Sequence, residues 1–247
     1  MKTYIQIGAG GTGSHLIGPA LAFLDSWHTN NGEDWEYYVV DGDNFAASNR
    51  IRQLFEPKYI GTNKAIAMAD TYRQYPIFAE PRYVGKEDLE KLIPEDSVVF
   101  LCVDNFSLRA LIQEHVQSLK NAVVINGGNE YHDGSVQIWV RQKGKNKTPP
   151  LTYLHPEIAY QSADDRAGMT CAQAMELPGG EQLIIANMAV AQHMMTALWR
   201  YHSGEWANGW TELNFDLKKS EVFHMNRREN KNWEKDRIPE GIIHAAS

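Results

Sequence analysis

The 247-residue chain, 43% hydrophobic and 22% charged, is long and apolar enough for one large domain with a sizeable core. Its formal net charge of −7 argues against non-specific nucleic-acid binding, which needs a basic surface, and its 2 cysteines, Cys102 and Cys171, cannot build a disulfide framework or a four-thiolate zinc site. No apolar run has the length that spans a bilayer and the first strand follows Met1 almost directly, so a reduced, cytoplasmic protein without a membrane partner is expected.

The chain opens with a short β-rich run, Tyr4-Ile5-Gln6-Ile7, that ends in Gly8-Ala9-Gly10-Gly11-Thr12-Gly13-Ser14 and leads into an apolar segment over residues 16–24. Gly8, Gly10 and Gly13 have the G-x-G-x-x-G spacing of a nucleotide-binding turn between a strand and a helix. Glycines let the backbone turn sharply and approach a phosphate, while the unpaired N–H groups of the first helical turn face the anion. A glycine-rich packing turn is the plainer alternative. Residues 30–34 read as a loop and residues 35–40 as a second buried strand, which ends in Asp41-Gly42-Asp43-Asn44. An acid at that tip suits a ribose hydroxyl, although Asp-Gly is also common turn chemistry.

The next stretch departs from the pattern of a dehydrogenase. Ser48-Asn49-Arg50-Ile51-Arg52-Gln53-Leu54-Phe55 and then Ile60-Gly61-Thr62-Asn63-Lys64-Ala65 place two arginines, a glutamine, two asparagines and a lysine in one short excursion. Guanidinium forks match phosphate oxygens, and a lysine at a helix start adds a point charge. Arg50 and Arg52 interleave with Ile51, Leu54 and Phe55, which suggests a folded pocket wall rather than a solvated loop. A helix is expected from Gly61 to about residue 75, with Ala65, Met68, Ala69 and Tyr72 on one face. Residues 98–103 form an apolar strand that ends in Asp104-Asn105.

These blocks, in this order, closely resemble the ThiF/MoeB family, relatives of the ubiquitin-activating enzymes. The resemblance covers residues 4 to about 128 and implies a three-layer, Rossmann-like α/β fold: a mostly parallel sheet with an antiparallel extension. It also implies ATP-dependent adenylation of the C-terminal carboxylate of a ubiquitin-like or sulfur-carrier-like protein, with release of pyrophosphate. In that setting Gly8, Gly10, Gly11 and Gly13 approach the nucleotide and Asp41, beside Asp43, holds the ribose. Asn49, Arg52 and Lys64 contact phosphates, and Gln53 supports the pocket. Asp104, followed by Asn105, helps bind Mg2+. Arg50 has no secure counterpart in the family. The family's two C-x-x-C pairs are absent, so no structural zinc is expected. A homodimer is implied. Some relatives carry, before the first strand, an arginine that reaches the partner's ATP site; the short run Met1-Lys2-Thr3 ahead of Tyr4 has none, so a trans-acting arginine is not expected from it.

Farther along, residues 107–120 read as a helix, with His115 on its face rather than as a ligand. Residues 122–126 form a buried strand, after which Gly127-Gly128 suggests a tight turn. Residues 134–141 alternate and read as an antiparallel edge strand, and 142–150 as a basic linker. Residues 151–180 lack a period and correspond by resemblance to a crossover loop over the carboxylate's path. His155, Asp164 and Asp165 fall there without a zinc spacing. So does Cys171, within Thr170-Cys171-Ala172-Gln173-Ala174. That segment and Ala186-Asn187-Met188-Ala189 look similar to ThiF-type proteins of bacterial mobile elements (the PRTRC system). Cys171 is either an acyl acceptor, since some family members pass the activated acyl group to their own cysteine, or a thiol that packs as a small hydrophobe. Cys102, inside its strand, reads as packing.

Residues 181–201 carry the strongest helical pattern, and residues 210–217 and 221–225 form a final hairpin. One adenylation domain is therefore expected over residues 1–225, with a nucleotide-binding half at 1–128 and the extension, loop and long helix at 129–225. A polar, flexible tail over 226–247 completes it. Two other functions fit parts of the pattern. The glycine turn and Asp41 alone suit an NAD(P)-dependent oxidoreductase, and a nucleotide-binding scaffold without catalysis would retain the fold.

Overall fold

The computed structural model describes residues 1–159 and 183–226. Among them runs a nine-stranded sheet in the order β3-β2-β1-β4-β5-β6-β8-β9, with β7 paired to β6. The strands are β1 (Lys2–Ile7), β2 (Trp35–Val40), β3 (Ile77–Glu80), β4 (Val98–Leu101), β5 (Ala122–Asn129), β6 (Asp133–Gln142), β7 (Lys145–Asn146), β8 (Glu212–Asp216) and β9 (Glu221–Met225). The first five pair in parallel, and β5 with β6, β6 with β8 and β8 with β9 pair antiparallel. The mostly parallel sheet with its antiparallel extension agrees with the fold expected from the sequence.

Alternation along the strands divides the core into two faces. Tyr4, Tyr37, Phe100, Ile125 and Ile138 point to one face, where they meet α1 (Gly11–Asn31), α2 (Lys64–Thr71) and α6 (Ile184–His202). Ile5, Val99, Val124 and Trp139 point to the other, against α3 (Leu89–Leu92), α4 (Phe106–Ser118) and α5 (Leu151–Leu154). The three layers place the carboxyl ends of β1, β2 and β4 together at one rim, beside the amino end of α1.

Several boundaries differ from the sequence expectations for identifiable reasons. Helix α1 begins inside the glycine motif and continues to Asn31, where Gly32 ends it at φ 66°. Helix α2 stops at Thr71, well before residue 75; the chain turns over residues 72–76 to enter β3, and Pro76 disfavours helix at Tyr75, the residue before it. Gly127 and Gly128 are not a turn. They continue β5 opposite Val136 and Ser135, and a side chain at Gly127 would collide with Val190 and Met194 of α6. Strand β6 is interior, since β8 covers its far side. Part of the expected linker forms β7, in a hairpin on β6. Of residues 151–180, the first nine form α5 and a 3-10 turn at Pro156–Ala159, and the others lie outside the described residues. Among the described residues no helix is long and apolar enough to cross a membrane.

Candidate active site

The glycine turn is built by contacts on both sides. Gly8 has φ +96°, and a Cβ there would stand 2.5 Å from the carbonyl oxygen of Cys102, so the turn lies directly against the end of β4. At Gly13 a Cβ would stand 2.1 Å from the carbonyl oxygen of Gly8, which closes the loop on itself. Gln6, fully buried in β1, fastens this loop: its Nε2 donates to the carbonyls of Gly8 at 2.9 Å and Gly13 at 3.1 Å. The hydroxyl of Tyr37 in turn donates to Gln6 Oε1 at 2.7 Å. No side chain caps the start of α1, so its first N–H groups carry the positive end of the helix toward the rim.

Asp41 joins the end of β2 to that turn. Its Oδ2 accepts the N–H of Ala9 at 2.7 Å and its Oδ1 that of Asp43 at 2.8 Å. Burial pushes its carboxyl above the ordinary carboxylate range, and the nearby Lys64 and the two backbone donors oppose the rise. Asn63 completes the corner. Its Nδ2 donates to the carbonyls of Asp41 and Asp43, and its Oδ1 accepts from Ala65 and Ile66 as the N-cap of α2. The cap sets Lys64 at the first position of α2, buried, with Nζ 3.0 Å from Asp43 Oδ2.

A cavity of about 550 Å³ opens at this rim. Of the candidate residues it brings together Gly8, Gly10, Gly11, Asp41, Asp43, Arg52, Asp104 and Asn105. Gly13, Asn49, Gln53 and Lys64 stand behind its wall. The Oδ1 of Asn49 is engaged locally, accepting the N–H of Ala46 at 2.9 Å. Gln53 is 3% exposed, yet neither atom of its amide has a hydrogen-bond partner among the described residues. Its Nε2 lies 3.8 Å from the point where a Cβ of Gly10 would stand, facing the glycine turn. Arg50 is exposed. Asp104 is exposed on the loop between β4 and α4, and Asn105 caps α4 by accepting the N–H of Leu108 at 3.0 Å. Cys171, Asp164 and Asp165 lie outside the described residues.

Cys102 packs as the sequence suggested: burial raises its thiol pKa far out of the reactive range, and its Sγ rests 4.0 Å from Met194 Sδ. His115 likewise sits on a helix face, bonded to the carbonyl of Ile93 at 2.9 Å. His155 bridges Glu157 at 2.9 Å and Glu212 at 3.0 Å. Among the described residues no group of three or more His, Cys, Asp or Glu side chains converges as a metal site.

Four residues to which the sequence assigned no role shape the site. Gln6 and Tyr37 look like ordinary strand residues, since nothing in a period-2 pattern says that an amide will point at a turn. Arg109 is buried in α4, where its guanidinium donates to the carbonyls of Val103 at 2.5 Å and Gly127 at 3.2 Å. It thereby braces the Asp104 loop against β5. Asn187, quoted above only as part of a similar motif, has its Oδ1 3.3 Å from the hydroxyl of Thr12 and ties α6 to the glycine turn.

Comparison with known proteins agrees with this architecture. The model of the ThiF family matches residues 3–235. The crystal structure of E. coli MccB with ATP superposes with a TM-score of 0.63 at 16% identity, over 91% of this chain and 63% of that one. The microcin C7 biosynthetic enzyme MccB in complex with N-formylated MccA gives 0.62 at 16% identity, over 91% and 64%. PaaA gives 0.63 at 16% identity, over 92% and 73%. The chain thus spans less than two thirds of the length of MccB. No curated protein matches it in sequence.

Proposed function

Because the chain belongs to the ThiF family, we propose that it is an adenylyltransferase that uses ATP to activate the C-terminal carboxylate of a small protein or peptide. The family resemblance suggests a ubiquitin-like or sulfur-carrier-like protein. MccB, the similar structure solved with ATP and with MccA, supports a peptide-sized partner. One carboxylate oxygen attacks the α-phosphorus, the bond to the β-phosphate oxygen breaks, and pyrophosphate leaves. The product is a mixed anhydride of the carboxylate with AMP.

The observation that carries this function is the polar wall behind the glycine turn. Gln53 presents a buried amide with no partner among the described residues, toward Gly10, next in the chain to the buried Arg52, while the buried Lys64 stands on the Asp43 side of the same rim. An unmet buried amide N–H costs about 1–3 kcal/mol, a cost that a phosphate oxygen near the turn offsets by accepting from Gln53 Nε2. Arg52 and Lys64 counter the charge that grows on the departing pyrophosphate, which is where fixed cations act most strongly. Asp41 is set to accept from a ribose hydroxyl through lone pairs that its two backbone bonds leave over. Asp104 would hold Mg2+, which neutralises phosphate charge when bound; such a site ordinarily needs one or two carboxylates, with phosphates and water as the other ligands. Arg109 keeps the Asp104 loop in place.

After adenylation, Cys171 is carried as the acceptor of the acyl group: its thiolate attacks the carbonyl carbon and AMP leaves. A single adenylation domain over residues 1–225, a homodimer and a cytoplasmic location complete the proposal. ATP–pyrophosphate exchange, assayed with small proteins encoded nearby, tests the first step. Exchange that depends on one such partner supports it, whereas NADH binding without exchange would favour an oxidoreductase. A thiol-sensitive adduct in intact mass spectra, lost in Cys171→Ala, tests the second.

A further inference from the structure

We propose that the part of the cavity over β6, β8 and β9 takes the C-terminal stretch of the partner as an extended chain and selects one with a Lys or Arg about three residues before the terminal carboxylate. This inference rests on the adenylation function above and names the chemistry of its partner. Strand pairing builds the floor. Gly128 lies opposite Ser135, Ser135 opposite Asn214 and Asn214 opposite Phe223, so the four share one face of the sheet and line the cavity in a row from β5 to β9. The small residues keep this row shallow. Its inner end adjoins the glycine turn, where the hydroxyl of Thr12 is 3.3 Å from Asn129 Oδ1. At its outer end Phe223 is 52% exposed.

One pleat along the same face, Asn126 is paired with Gln137, and its Nδ2 donates to Gln137 Oε1 at 2.9 Å. The two are 1% and 2% exposed, yet Asn126 Oδ1 and Gln137 Nε2 have no hydrogen-bond partner among the described residues. An unmet acceptor and an unmet donor on adjacent strands are what the N–H and C=O of an added peptide unit satisfy. The charges beside the row set the preference. Of the described cavity residues over 129–157 and 214–223, Glu130, Asp133, Glu157 and Asp216 are acids, and none is Lys or Arg. His155 is already shared between Glu157 at 2.9 Å and the buried Glu212 at 3.0 Å. Lys219 and His132 approach Asp216 at 3.4 and 3.8 Å without lining the cavity. The excess is acidic, so it repels a bare carboxylate and favours a chain that brings a cation with it. From Gly128 to Asn214 is two strand spacings, about 10 Å, which an extended chain crosses in about three residues.

The test uses the full chain with ATP and fluorescein-labelled alanine hexapeptides that end in a free carboxylate. They differ only in Lys, norleucine or Glu at the third residue before the last. Anisotropy titrations should show the Lys peptide binding about fivefold more tightly than the norleucine peptide, and the Glu peptide binding most weakly. Added salt should narrow the gap. Asp133→Asn combined with Glu157→Gln keeps the shapes and removes two charges, so it should erase the Lys preference and leave the calorimetric affinity for ATP unchanged. Equal binding of the Lys and norleucine peptides, no binding of any peptide, or a preference that survives in the double variant overturns the selection. So does an equal loss of ATP affinity in the double variant, because the two acids would then act on the fold. A wild type that binds no ATP overturns the adenylation function, whereas ATP binding without discrimination among the peptides overturns this inference alone.

Discussion

The ammonium of Lys64 sits 3.0 Å from the carboxylate of Asp43, with only 1% of the lysine side chain exposed against 18% of the aspartate. The asymmetry has a consequence for stability. Removing Asp43 takes a direct carboxylate partner from the more deeply buried charge, with Asp41 still nearby, whereas a carboxylate near water is resolvated cheaply. Asp43→Ala should therefore lower the unfolding free energy in urea more than Lys64→Met does. Lys64→Met should nonetheless lose most exchange activity at saturating ATP. Equal stability losses, or full activity in Lys64→Met, would count against this account.

Tyr37→Phe tests how the glycine turn is held. The variant keeps the packed ring but removes the donor to Gln6 Oε1. A buried acceptor left without its donor costs about 1–3 kcal/mol, so a fall in unfolding free energy of that size is expected. The freed amide also holds Gly8 and Gly13 less firmly, so KM for ATP should rise more than kcat falls. A change in stability with KM untouched would limit Gln6 to a purely structural part.

Asp104 and Arg52 separate metal binding from charge stabilisation. Asp104 is exposed, so Asp104→Ala should leave stability within about 0.5 kcal/mol while removing exchange. Arg52→Ala should raise the barrier by about 2–4 kcal/mol, read as a fall in turnover at saturating ATP. Full exchange in Asp104→Ala would reassign the metal carboxylate, and unchanged turnover in Arg52→Ala would remove its role.

Two histidines set opposite pH trends in stability. Burial, helped by His28 and Lys2, pushes His202 down to about 4, and its Nε2 lies 3.0 Å from the hydroxyl of Tyr4. Below the ordinary histidine pKa of about 6.5 the unfolded chain takes up a proton that the folded one refuses. This contribution is present above that pH and is lost as pH falls toward 4. For His155, burial alone would lower the pKa, but the hydrogen bonds and charges of Glu212 and Glu157 outweigh it and raise it. Its contribution is full below about 6.5 and is lost as pH rises through the raised value. Urea titrations should show His202→Gln flattening the acid limb and His155→Gln flattening the limb on the alkaline side of 6.5. A change in the other limb in either variant would contradict these assignments.

Much of the molecule was legible in the sequence, because the signals involved are local. A strand, a G-x-G-x-x-G turn and an apolar helix are written in consecutive residues, and so are the alternation of β6 and the Asp-Asn end of β4. Local steric and periodic rules suffice for these, and the order of the blocks was enough to suggest the family. What the tertiary structure decided were the meetings between distant residues. Gly127 and Gly128 look like a turn but lie in a strand, where α6, some sixty residues later, packs against the place of a Gly127 side chain and the Arg109 guanidinium against that of Gly128. Asn49 and Gln53 are four residues apart and equally polar, yet one spends its carbonyl on a neighbouring N–H while the other keeps an unmet amide facing Gly10. Gln6 and Tyr37 hold the turn only because parallel pairing of β1 with β2 sets them on the same face. A hydrogen bond depends on distance and angle to within a few tenths of an ångström. Residue identity states what a side chain can donate or accept, and only the packed fold determines which partner it reaches.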